Sequence, residues 1–161
     1  MSRVLTVYYS RTGHTHTVAE MVARGLSADL EELEERQKRN LLRAGLSALF
    51  KRETELKPPA NDPAAYDLVV IGTPVWGANL PPAVRRYLHD NGKGIRKAAF
   101  FCTEGGSGGG NVFRQMEDLC GKPPVATLVI TEPDLKSGAH ESKTRGFVEA
   151  LGSGLAAAGT A

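Results

Sequence analysis

The chain is poor in several kinds of chemistry. Of its 161 residues only two are cysteine, Cys102 and Cys120, and only one is tryptophan, Trp76. Two thiols behind a start that lacks a secretory pattern point to a reducing cytoplasm and exclude a disulfide framework. No apolar run approaches the roughly 18 residues that a membrane span needs. Twenty basic against 18 acidic residues leave a net charge of +2, so charge balance alone marks no nucleic-acid surface. The Gly-x-x-x-x-Gly-Lys-Ser/Thr and Gly-x-Gly-x-x-Gly patterns are both missing, which removes the commonest nucleotide loops. No histidine pair or carboxylate cluster has metal-ligand spacing. No side chain is marked as a catalytic acid or base.

What is present suffices for one domain. The length suits a single core, and 41% hydrophobic residues exclude general disorder. Short apolar runs at 4–9 (VLTVYY), 67–74 (DLVVIGTP, its four apolar residues bounded by Asp67 and Gly72), 97–103 (KAAFFCT) and 124–131 (PVATLVIT) read as buried strands. The stretch 29–35 fits a helix or a charged edge strand, and its context favours the strand. Helices are predicted over 16–26, 81–92, 111–121 and 141–151, with Gly25, Gly92 and Gly121 as stops. The tail LGSGLAAAGTA is expected to fray. Strands that are continuous apolar runs and alternate with helices predict an α/β fold: a doubly wound, five-stranded parallel sheet in a three-layer sandwich. In such sheets ligands sit beyond the carboxyl ends of the strands, at the switch point.

Three loops lie at those ends. The first is Ser10-Arg11-Thr12-Gly13-His14-Thr15. It leads into a helix N-terminus, whose free N–H groups and dipole favour an anion. Hydroxyls at 10, 12 and 15 can donate to phosphate oxygens, and Gly13 allows a tight turn. The plainer reading is helix capping by Ser10, Thr15 and Thr17. The second loop, TPVWGAN, carries Thr73, Pro74, Val75, Trp76 and Gly77. Its tryptophan suits a ring-stacking site as well as a surface anchor. The third, TEGGSGGG, holds Thr103, Glu104, Gly105 and Gly106 among five glycines in eight positions. It suits close backbone approach to a ligand, or else a flexible connector. Cys102 beside it reads as a small buried hydrophobe.

The sequence SRTGHT closely resembles the FMN-phosphate loop of flavodoxins, Thr/Ser-x-Thr-Gly-x-Thr. The resemblance continues through VVIGTPVWGANLPPAVRRYL and FFCTEGGSGGGNVF and covers the chain except about 36–60. It implies a flavodoxin-like sheet of order 2-1-3-4-5 and one non-covalent FMN. Ser10 to Thr15 would hold the phosphate, with His14 as a backbone contact. Thr73 to Gly77 and Thr103 to Gly106 would hold the ring. It implies for Trp76 a ring-flanking role, and for Gly77 a peptide carbonyl that bonds the flavin as an electron arrives. One departure is that the third loop has no aromatic before Phe113.

Two function classes follow from the resemblance: an electron carrier between protein partners, or an NAD(P)H-dependent reductase that passes electrons to a quinone or similar small acceptor. A flavin-binding sensor without turnover is a third. Residues 36–57 carry seven Lys/Arg and two Glu, a local +5. Electron-carrying flavodoxins are strongly acidic, which this chain is not. The segment, about 36–60, reads as a crossover helix with a leucine stripe, or as an enlarged element that borders the cleft or docks a partner.

Overall fold

The structure, a computed structural model, describes residues 1–36 and 54–159. Five parallel strands form one sheet of order β2-β1-β3-β4-β5. They are β1 (Val4–Tyr8), β2 (Asp29–Glu32), β3 (Leu68–Pro74), β4 (Ala98–Glu104) and β5 (Thr127–Thr131). The helices are α1 (His14–Leu26), α2 (Pro82–Asn91), α3 (Gly109–Cys120), α4 (Glu132–Ser137) and α5 (Ala139–Gly159). This is a flavodoxin-like arrangement, and the predicted sheet and strand order are as observed.

Alternation along each strand builds two cores. Leu5, Val7, Val69, Ile71 and Phe100 face one side, where Val84, Tyr87, Leu88, Val112 and Met116 of α2 and α3 pack. Val4, Tyr8, Val70, Phe101 and Ile130 face the other, against Val18, Val22, Phe147 and Leu151 of α1 and α5. Because both faces of β1, β3 and β4 are covered, these strands read as unbroken apolar runs, whereas the edge strand β2, DLEE, buries only Glu31.

Several boundaries differ from expectation. Gly72 does not bound its strand; it sits inside β3, paired in register with Phe101. Gly25 does not end α1; the helix runs to Leu26 and Ser27 makes the left-handed turn at φ 50. The glycine- and alanine-rich tail is helical as far as Gly159, with Leu155 packed against the second core. The short helix α4 was not foreseen. A capping box starts it: Asp134 N donates to Thr131 Oγ1 at 3.2 Å, and Thr131 N donates to Asp134 Oδ2 at 2.9 Å.

The basic-segment reading falls almost wholly on 37–53, outside the described residues. Its flanks close on each other: Arg36 N donates to Glu55 O at 2.8 Å, and Lys57 N to Glu34 O at 2.9 Å.

Lys143 also reaches Asp134 Oδ2, at 2.8 Å. These bonds, the Lys143 one foremost, lower the Asp134 carboxyl from 3.8 to about 2. A depressed carboxyl adds stability that is complete above its unfolded pKa and is lost as pH falls through the folded one. Acid titration of wild type should therefore show a loss of stability between about pH 4 and pH 2 that Asp134→Asn lacks, followed by circular dichroism.

Candidate functional site

The chain crosses from β2 to β3 over β1, so the sheet has its switch point between β1 and β3. The loop after each of these strands, and the loop after β4, meet at that edge. Tyr9 N donates to Gly72 O at 3.2 Å, and Val75 N to Thr103 O at 3.1 Å. Thr15 and Thr103 hydroxyls bond at 2.8 Å, both buried. All three predicted loops are therefore brought together.

The first loop has a built donor geometry. Gly13, at φ 98, stands immediately before α1. That left-handed conformation is one that a side chain rarely adopts. Ser10 Oγ accepts from Gly13 N at 3.1 Å and from His16 N at 3.3 Å. Its own hydrogen has no acceptor among the described residues. Between those two amides lie the N–H groups of His14 and Thr15, without a partner among the described residues. Thr12 is exposed and its hydroxyl is likewise unpaired among them. Ser10 thus shapes the loop as a cap would, and the remaining donors lie in the same loop and the first turn of α1. Thr15 differs from the other hydroxyls, because its bond to Thr103 turns it into the protein as a brace between loops.

The neighbouring helix starts suit an anion less. The α2 start is Pro81-Pro82, and proline lacks an N–H. At α3, Gly109 N already donates to Glu104 Oε2 at 2.8 Å, so a carboxylate occupies that end. The α1 terminus is the one of the three with neither a proline at its first position nor a resident negative charge. These residues fit a phosphate group.

Trp76 is half-buried against the start of the first loop. The Arg11 guanidinium carbon lies 5.4 Å from its ring centre. Tyr9 meets it edge-on, with ring centres 5.7 Å apart at 73°. The Tyr9 hydroxyl donates to Glu35 Oε1 at 3.2 Å. Burial, then the Glu35 charge, pushes that phenol up to about 12, so it remains a neutral donor. Sequence reasoning missed Tyr9 because it looked like the last residue of a strand.

Trp76 and Asn79 pair antiparallel: Trp76 N donates to Asn79 O at 3.0 Å, and Asn79 N to Trp76 O at 2.9 Å. Gly77 and Ala78 make the two-residue turn between them. Three further side chains hold this turn, and none was foreseen. Asn79 Nδ2 donates to Gly77 O at 2.8 Å, Asn111 Nδ2 to Ala78 O at 2.7 Å, and Gln115 Nε2 to Asn79 Oδ1 at 2.9 Å. Asn111 and Gln115 lie one turn apart on α3, a spacing that sequence alone could have flagged as one polar face.

Gly105 and Gly106 are exposed in the third loop. Cys102, next to it, is fully buried. Burial, then the Glu104 charge, pushes its thiol up to about 12. Since the thiolate is the reactive form, Cys102 should resist a thiol reagent such as DTNB in native protein at pH 8 and react on unfolding. Among the described residues no cluster of histidine, cysteine and carboxylate can hold a metal.

No family model matches the chain. It is 30% identical over 95 residues to an NAD(P)H dehydrogenase (quinone) of Cupriavidus metallidurans. That match takes in 57% of this chain and 48% of the relative, so the chain spans about half of that protein's length. A flavoprotein from Lactobacillus acidophilus, solved in complex with FMN, superposes with a TM-score of 0.67 at 18% identity, covering 85% of this chain and 98% of the other. Oxidised Flavodoxin 2 from Bacillus cereus superposes with a TM-score of 0.61 at 20% identity, covering 94% and 99%. These likenesses establish a shared flavodoxin-like fold.

Proposed function

We propose that the protein binds one FMN at this edge and exchanges electrons through it. The observation that carries the reading is the α1 terminus, where Ser10, Thr12 and the His14 and Thr15 amides form the open donor set. The shared fold with an FMN-bound flavoprotein supports it. When bound, the flavin supplies the redox chemistry, and the protein supplies orientation and electrostatics. The Ser10–Thr15 loop would hold the phosphate without a lysine, by hydrogen bonds and the helix dipole. Trp76, with Tyr9 and Arg11 against it, would border the ring. The Thr73–Gly77 and Thr103–Gly106 backbones would meet its polar edge.

The test is retention. Protein mixed with FMN and passed over a desalting column should emerge yellow with one flavin per chain. Colourless protein would contradict the reading.

The partial similarity to an NAD(P)H dehydrogenase (quinone) favours a finer reading, a two-electron reductase with a quinone-class acceptor. The slightly basic charge points the same way, because an acidic surface is what steers carrier flavodoxins to basic partners. Under anaerobic conditions NADPH or NADH should bleach the loaded protein, and a quinone should restore its colour. Failure to bleach, with a stable one-electron form on chemical reduction, would instead favour a carrier serving a protein partner.

A further inference from the structure

The turn at Trp76–Asn79 carries a mismatch between sequence and conformation. Two-residue hairpin loops take type I′, with positive φ at both central residues, or type II′, with positive φ at the first alone. Glycine first and a non-glycine second is the II′ pattern. The sequence here is Gly77-Ala78, yet Gly77 has φ 55 and Ala78 has φ 62. Ala78 is therefore strained in a left-handed conformation that a half-turn of the Gly77–Ala78 peptide would relieve.

Hydrogen bonds oppose that rotation. The Gly77 carbonyl is taken by Asn79 Nδ2, and Asn79 Oδ1 by Gln115 Nε2. Gln115 is anchored in turn, accepting from Leu80 N at 3.1 Å through Oε1. The Ala78 carbonyl is taken by Asn111. Every carbonyl of the turn is thus occupied, while the Gly77 and Ala78 N–H groups have no partner among the described residues.

We propose that Asn79, braced by Gln115, is a positioning residue that selects the type I′ form and so makes this loop a hydrogen-bond donor toward its ligand. In a planar trans peptide the carbonyl and the following N–H point in opposite directions. With the Gly77 carbonyl held by Asn79, the Ala78 N–H is the group left to offer. A donor suits the oxidised isoalloxazine, whose polar edge carries unprotonated acceptor nitrogen and oxygen. A carbonyl suits the reduced ring, which has gained an N–H there. The clamp favours oxidised over reduced flavin, a consequence that rests on the FMN reading; the clamp itself does not.

The experiment is NMR on ligand-free protein, paired with flavin binding. In type I′ the Gly77 and Ala78 amide protons are close; in type II′ the Gly77 Hα approaches the Ala78 amide instead. Wild type should show the amide–amide cross-peak as the stronger. Asn79→Ala should invert the ratio, and Gln115→Ala should move it the same way by less. Ala78→Gly in the Asn79→Ala background should restore the wild-type pattern, since glycine removes the strain. An unchanged ratio in folded Asn79→Ala would overturn the clamp. With FMN, Asn79→Ala should shift the ratio of reduced to oxidised affinity about tenfold toward reduced, the worth of one hydrogen bond. Inverted cross-peaks with an unmoved affinity ratio would overturn the donor role alone. Absence of FMN binding to wild type would remove the cofactor reading and leave the cross-peaks to decide the clamp.

Discussion

Gly72→Ala should destabilise the protein by about 3 kcal/mol, near the upper end of typical overpacking costs. A methyl on Gly72 would stand 2.0 Å from Cζ of Phe101 and within 2.6 Å of two more ring atoms. The Phe101 ring lies across the glycine from the adjacent strand, in register with it. It cannot step aside, because it is fully buried among Val4, Tyr8, Val18, Val70 and Ile130. The neighbouring strand must move or the ring must leave its rotamer. Urea unfolding of Gly72→Ala should give a lower midpoint, and Phe101→Leu in that background should recover part of the loss by removing the clashing atoms. Gly105→Ala is the control: nothing lies within 4 Å of its added methyl, and its stability should stay within about 0.5 kcal/mol of wild type.

Ser10→Ala combined with Thr12→Val should weaken FMN binding at least about 100-fold while leaving riboflavin binding within a few-fold. The two hydroxyls are the ones in this loop left free, among the described residues, to donate to a phosphate. Hydrogen bonds to a charged group contribute about 1.5–3 kcal/mol each, and 1.4 kcal/mol is tenfold. Riboflavin has no phosphate and so cannot lose those bonds. Ser10→Ala also removes the acceptor of two loop amides, so Thr12→Val alone should be measured beside it. Thr12 is exposed and unpaired among the described residues, so that single variant should keep wild-type stability and still lose FMN affinity. Equal losses for both flavins would place the phosphate elsewhere.

Strands β1, β3 and β4 were legible because both of their faces are covered, while the charged edge strand β2 could be placed only from context. Burial on two sides selects continuous apolar runs such as DLVVIGTP, which no surface segment imitates. Glycines misled the boundaries. Gly72 is small to admit Phe101, and in α1 a Cβ at Gly25 would lie 2.6 Å from Val148 of α5. Each reflects close packing across elements, which sequence spacing does not display. The helix α4 has no apolar stripe, and its Thr131–Asp134 capping box with Pro133 was the signal available.

The candidate site divides in the same way. Its loops could be located because a strand-to-helix turn dense in hydroxyls and glycine has a physical signature. The residues that shape it could not, because topology delivers them from afar. Gln115 reaches Asn79 from 36 positions away, and Thr103 reaches Thr15 from 88. Tyr9 joins Trp76 only because β1 and β3 are neighbours. The resemblance marks Glu104 as a ring contact, and in the structure its carboxylate accepts from Gly109 N at the start of α3. Of the three helix starts, that leaves α1 as the one with neither a leading proline nor a carboxylate on it.

The most direct measurement is a paired fluorescence titration of the ligand-free protein with FMN and with riboflavin. The account predicts quenching of FMN emission at one flavin per chain, with FMN held far more tightly than riboflavin. Unquenched FMN, or equal affinity for the two flavins, would contradict a phosphate seat at the end of α1.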